Sequence, residues 1–592
     1  MCPGKKILYE VYEFVHACRP NSIVYLKKGS PLKNSIPRRR FIKTTVLATT
    51  AISTSGIRFL LAGPPLDIII KGAHIVDGTG GEIVQADLGI FGDRIEVIGD
   101  LSTKRAKTIV SAAGRHVCPG FIDIHTHSDG SILAYPEAES RVMQGVTTEI
   151  TGNCGYSAAP LQGHDALERR NKWLEEDGIQ ANWTDVASYL ENLEKSGISV
   201  NHALLLGQGT LRNNLIGPIN RELTTDEMKM LLAALEEGLD QGAIGLSTGL
   251  EYVPGSFTST EELITMARVI ARRGGLYASH IRDEESFLLE AVNEAIEIGR
   301  QSGVRVQISH LKAAGRSNWY KQEADLHLIE SARRSGIDVM ADAYPYTAYS
   351  TSLSSFILPW AREGGTQATL ERLADPAIRD RIRKETEEIA RTTPGDYHLI
   401  VISRVKSEKN QALVGKNIAE IAAIWNIEAV DVLLRLLEEE EGSVGFIGHG
   451  MSPGNVDMVL QHPLVMIGSD GSSMAPKGRA AQTRPHPRSY GTFARVLGYY
   501  QRERNLFDLA NAVKKMTAMP ADQCKLNDRG RIARGKKADL VIFDASTVVD
   551  KATFEQPHQY PLGIEYVLVN GQIVVEKGKH TGKRPGRVLR SS

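Results

Sequence analysis

Two histidines, His125 and His127, close the apolar run 121–126 and offer the clearest chemistry in this chain. Side chains of an extended strand alternate faces, so residues i and i+2 point the same way and two imidazoles can reach one metal ion. Pro119-Gly120 before the run and Ser128-Asp129-Gly130 after it are turn signals, which puts the pair where a buried strand meets a loop. Cys154 follows the run 146–151, in Gly152-Asn153-Cys154-Gly155. His280 follows 276–279, His310 follows 304–308, and Asp470 follows 464–467. Each has an ordinary alternative: Cys154 as a small buried hydrophobe, His280 and His310 as hydrogen-bonded core residues, Asp470 as a helix N-cap. Five metal-ligating side chains and one carboxylate at the same end of successive strands are hard to explain that way.

The elements that must position them alternate in type. Apolar runs at 121–126, 146–151, 203–206, 243–246, 276–279, 304–308, 337–341 and 464–467 read as eight strands. Amphipathic helical patterns at 225–239, 260–273 and 285–302 fall between them, which predicts a parallel sheet with right-handed crossovers and hence an α/β fold, a (β/α)8 TIM barrel. Its strand ends converge on one rim, where such barrels place their chemistry. The stretch 350–446 is longer than one barrel helix requires and carries charged helical patterns such as 370–390. It is expected to be an inserted lid.

Outside the barrel, 119–526, the chain is β-rich at both ends. Short runs at 67–71, 74–76, 86–91 and 94–98 precede it; 538–543, 565–569 and 572–575, with the Asn570-Gly571 hairpin signal, follow it. Neither set alone buries a core, so 66–118 and 527–592 are expected to form one small β-sandwich. Residues 1–65 read as a leader. Arg38-Arg39-Arg40-Phe41-Ile42-Lys43 has the twin-arginine pattern of bacterial export signals and precedes a moderately apolar stretch, 44–61. The expectation is a periplasmic or otherwise exported protein, with a cytoplasmic location as the alternative. The apolar stretch is short and interrupted by Arg58, so no stable membrane span is expected.

Composition narrows the function. The 592 residues carry 70 Lys+Arg against 70 Asp+Glu, which argues against nucleic acid as a partner and for a small-molecule substrate. Five cysteines, an odd number without regular spacing, imply no disulfide framework.

The stretches 119–129, 145–155, 245–255, 279–284, 309–312, 341–347, 468–471 and 486–495 resemble the D-aminoacylase (N-acyl-D-amino-acid deacylase) family of the amidohydrolase superfamily. The resemblance covers about 66–590. Cys154 stands where other amidohydrolases of this type use a carboxylated lysine to bridge metals. Two departures are the leader and a somewhat longer loop at 470–486. The resemblance implies a Zn2+ enzyme in which Cys154, His280 and His310 hold the tighter ion and His125, His127 and Cys154 a second, weaker one. It implies Asp470 as the catalytic carboxylate and as the sixth residue of the metal centre, with His125, His127, Cys154, His280 and His310. It implies Arg488, Lys312 and Tyr344 as partners of the substrate's α-carboxylate, the substrate being an N-acyl-D-amino acid. Hydrolysis of a cyclic imide or an acylated peptide on the same centre, and a non-catalytic amidohydrolase-like binding protein, remain open alternatives.

Overall fold

The computed structural model describes residues 65–163 and 165–591. The twin-arginine reading at 38–43 lies outside them. Among the described residues no helix is long and apolar enough to cross a membrane.

Eight parallel strands form the central sheet: β1 (Phe121–Asp123), β2 (Val146–Thr151), β3 (Asn201–Gly207), β4 (Gly245–Gly249), β5 (Leu276–His280), β6 (Arg305–Ile308), β7 (Val339–Ala343) and β8 (Val465–Ile467). They pair in sequence order from β1 to β8. The seam between β8 and β1 closes just beyond the strands. There His127 N donates to Gly471 O at 2.8 Å and Asp470 N donates to His125 O at 2.8 Å. The barrel is therefore zipped shut by the segments that carry three of the candidate residues. Below the seam Asp123 Oδ1 accepts from Ser469 N at 2.8 Å, and buried Arg141 donates to Asp123 Oδ2 at 2.9 Å and to Ser469 Oγ at 2.6 Å. Apolar residues including Ile150, Leu205, Leu276, Ala278 and Met466 pack as one cluster drawn from several of these strands.

The expected runs differ from the strands in detail. The first strand ends at Asp123 rather than at residue 126, because the chain bends at Ile124 and His125 to meet the seam. The fourth and seventh lie two residues further along than read, with Gly245 opening β4 against β5: a Cβ there would sit 2.1 Å from Leu276 O. Helices Thr225–Asp240 and Thr260–Arg272 start at capping boxes, Thr224 with Glu227 and Ser259 with Glu262. The helical pattern at 370–390 is two helices, Gly365–Ala374 and Pro376–Thr392. Asp375 caps the second, accepting from Ala377 N and Ile378 N, and Pro376 fits its first turn.

The β-rich segments on either side of the barrel meet. Their strands join in one nine-stranded sheet, through the antiparallel pairing of Leu540–Phe543 with His116–Pro119. The sandwich is thus realised as a single sheet that branches at a bulge in Leu66–Ile75, whose first half pairs with Ala106–Ser111 and whose second half pairs with His116–Pro119. Ile70, Leu88, Val117, Leu540 and Leu568 share its core. The insertion after β7 folds around a core of its own, including Phe356, Ile382, Leu433 and Phe446. It carries a three-stranded sheet of Tyr349–Ser352, Ile400–Arg404 and Gly445–Gly448.

Candidate metal centre

The strand ends bring the predicted ligands together. Cys154 Sγ lies 3.3 Å from His125 Nε2 and 3.4 Å from His310 Nε2. His310 Nε2 is 2.9 Å from His280 Nδ1. Asp470 Oδ1 is 2.9 Å from His127 Nε2 and 3.6 Å from His125 Nε2. Three overlapping ligand sets result: His125, Cys154 and His310; His125, His127 and Asp470; His280, Glu284 and His310. The backbone is strained to achieve this. Cys154, His310 and Asp470 all have positive φ, of 52°, 35° and 52°, a region that costs a residue with a Cβ and that clusters at functional sites. The glycines flanking Cys154 are required by space: a Cβ on Gly152 would fall 1.9 Å from Leu205 O, and one on Gly155 2.5 Å from Gly249 N.

Behind the ligands stands a row of carboxylates. Asp342 in β7 reaches His125 Nδ1 at 3.1 Å, Glu251 reaches His280 Nε2 at 2.9 Å, and Glu284 reaches His310 Nδ1 at 2.8 Å. Each of the three imidazoles is therefore held by one nitrogen so that the other faces the centre. Asp342 also accepts from His310 N at 2.9 Å, which fixes the strained turn at His310.

The electrostatics match metal ligation. Burial pushes the Cys154 thiol up, but the neighbouring His125 and His310 imidazoles outweigh it and hold it well below the ordinary thiol range, as thiolate. Burial would push the histidines down, yet the carboxylates and the thiolate raise His125 well above the ordinary range, His127 to about 9 and His280 to about 10. A divalent cation in the same place would displace those protons. Ligands in tetrahedral zinc, with bond lengths of about 2.05 Å to nitrogen and 2.3 Å to sulfur, are separated by roughly 3.3–3.6 Å; the distances from Cys154 to His125 and to His310 fall in that range, while the 2.9 Å between His280 and His310 is shorter.

Around the centre is a cavity of about 420 Å³, lined by His280, His310, Lys312, Tyr344 and Asp470 from the barrel and by Ser350, Phe356, Ile357 and Arg362 from the insertion. Of the predicted substrate partners, Lys312 and Tyr344 line this cavity, while Arg488 does not line it and reaches Asp470 and Tyr344, which do. Arg488 Nη1 lies 2.7 Å from Asp470 Oδ2, Nη2 donates to Ser350 O at 3.2 Å, and the guanidinium stacks on the Tyr344 ring at 4.9 Å. Lys312 Nζ donates to both Glu284 oxygens, at 2.6 and 2.5 Å. The Tyr344 hydroxyl is buried with no hydrogen-bond partner among the described residues, and burial raises its pKa to about 12 against the pull of Lys312 and Arg488, so it stays a donor.

Residues 108–575 match the amidohydrolase family. This chain belongs to that family. N-acyl-D-glutamate deacylase and D-aminoacylase of Alcaligenes xylosoxydans xylosoxydans are each 38% identical to it across 89% of its length, spanning 96% and 98% of their own. The crystal structure of N-acyl-D-glutamate deacylase from Bordetella bronchiseptica, complexed with zinc and a phosphonate mimic of the tetrahedral intermediate, has a TM-score of 0.76. It shares 34% identity over 89% of this chain and all of its own. The chain is thus an amidohydrolase of the D-aminoacylase type, and metal dependence is supported by the ligand sets.

Three residues that matter here were not assigned roles from the sequence. Asp342 carried a signal, a carboxylate directly after the apolar run 337–341. Glu284 stood in the polar tail after β5 without distinguishing context. Glu251, in a turn after β4, carried none.

Proposed function

We propose that this protein is a zinc-dependent N-acyl-D-amino-acid deacylase, cleaving the amide bond with one water to give a carboxylate and a free D-amino acid. The observation that carries this is the cluster at the barrel rim, in which the Cys154 thiolate lies within 3.4 Å of the His125 and His310 ring nitrogens. Cys154, His280 and His310 would hold the main ion, and His125, His127 and Cys154 a weaker second one. Bound there, zinc supplies Lewis-acid polarisation of the amide carbonyl and makes water nucleophilic near neutral pH.

The chain's own groups do the rest. Asp470 is ionised: burial pushes its carboxyl up, but Arg488 and His125 outweigh this and hold it well below the ordinary carboxylate range. Its Oδ1, turned to His127, is placed to take a proton from the attacking water and deliver it to the leaving amine. Tyr344 offers a hydroxyl with no partner among the described residues, suited to an oxygen of the substrate. Arg488 and Lys312 supply the positive charge that an α-carboxylate requires. The insertion walls the cavity and limits water around the reacting amide. Export through the twin-arginine route belongs to the same reading, on the pattern at 38–43.

The test is a hydrolysis panel of N-acetyl-D- and N-acetyl-L-amino acids with the zinc-loaded protein. Turnover of D-substrates with little turnover of their L-enantiomers is expected. Preference for L-substrates, or turnover confined to cyclic imides, would overturn the assignment.

A further inference from the structure

Glu251 is the least protected of the three carboxylates that hold the ligand histidines. Asp342 is fully buried and shared among His125, the His310 backbone and Gln307, whose Nε2 donates to it at 2.5 Å. Glu284 is 11% exposed and shared between His310 and Lys312. The Glu251 carboxylate is 36% exposed, and among the described residues His280 Nε2, at 2.9 Å, is its one hydrogen-bonding partner. An imidazole presents one nitrogen to a metal only when the other keeps its proton, and a carboxylate at that other nitrogen fixes the tautomer and the ring orientation. Without it, His280 can carry its proton on Nδ1, the atom 2.9 Å from His310 Nε2 and facing the centre.

The segment that carries Glu251 also touches the insertion. Arg362 Nη2 donates to the Glu251 carbonyl at 3.0 Å, and the Tyr252 hydroxyl lies 3.2 Å from Thr351 Oγ1. The Tyr252 ring packs on His280 with centroids 4.6 Å apart. One short turn after β4 thus contacts a candidate ligand on one side and the cavity wall on the other.

We infer that Glu251 is the positioning residue for His280, setting how tightly the main metal site binds, with the insertion holding the turn in place through Arg362. The inference rests on the reading of His280 as a metal ligand. It concerns affinity for the ion and is independent of which acyl-amino acid is cleaved.

The test compares the full-length wild-type protein with Glu251→Ala and Glu251→Gln, measuring zinc affinity by competition with a chromophoric chelator and melting temperature of the chelator-stripped proteins. Glu251→Ala should lose about 10–100-fold in zinc affinity, the usual cost of removing a group that orients a metal-bound histidine. Glu251→Gln keeps an oxygen that accepts from His280 Nε2 and should recover most of that loss. The stripped proteins should melt within a few degrees of one another. Unchanged zinc affinity in Glu251→Ala would overturn the inference, as would equal losses in both variants accompanied by a falling melting temperature, which would mark a structural role. Absence of tight zinc in the wild type would instead defeat the assignment of the metal site.

Discussion

The two sides of the metal centre are built differently. On the β5–β6 side, His280 and His310 are each almost fully buried and each backed by a carboxylate of its own, Glu251 and Glu284. On the seam side, His125 is backed by Asp342, but His127 is one-third exposed and its closest carboxylate is Asp470, which faces the cavity. A ligand that is pre-oriented loses less freedom on binding than one that is held only by its ion. On the proposed assignment, this difference would let one thiolate between the two sides serve a tight and a weak position and would leave Asp470, on the weaker side, free for proton transfer.

The largest effect that would sharpen this comparison is expected at Asp470. Asp470→Asn keeps the shape and the tight side intact, so zinc content should hold while kcat falls at least about 10²-fold, the scale of general acid–base catalysis. Loss of zinc together with activity would place Asp470 among the tight ligands and erase the distinction. Next in size is the contrast between two single ligands. His280→Ala should weaken the first zinc equivalent at least roughly tenfold more than His127→Ala, by the usual range for well-oriented ligand shells. Equal losses in the two variants would show a symmetric centre.

A smaller effect is expected at Arg488. If it reads the substrate's carboxylate, Arg488→Ala should raise KM for N-acyl-amino acids by the equivalent of about 2 kcal/mol, the cost of a lost charge-assisted pair. A substrate whose carboxylate is amidated should scarcely notice. The ion pair with Asp470 sets the competing outcome: equal losses on both substrates, carried by kcat, would mean that Arg488 acts by holding Asp470.

Much of the site was legible because strand periodicity and turn signals locate strand ends, and a barrel gathers those ends whatever lies between them. His125, His127, Cys154, His280, His310 and Asp470 each fall in at least one of the three clusters at the rim. The supporting carboxylates were less legible. Asp342 lies on β7 and the His125 ring that it holds follows β1, far apart in the chain, and they meet only because β8 pairs with β7 and the seam beyond β8 closes onto His125. The engagement of Arg488 by Asp470 depends on where the helix Arg488–Arg495 begins, after a loop whose course no periodicity fixes. The split of 370–390 was available in Asp375-Pro376, an N-cap followed by a first-turn proline, which outweighs a continuous amphipathic pattern.

The central claim, a cysteine-centred zinc site with one dominant ion driving D-specific deacylation, is tested most directly by stripping the protein with chelator and titrating zinc back while following hydrolysis of an N-acetyl-D-amino acid. Activity should be negligible in the stripped protein, rise to its maximum near one zinc per chain, and be absent in Cys154→Ala at the same zinc concentrations. Full activity without metal, or a Cys154→Ala protein that titrates like the wild type, would contradict the account.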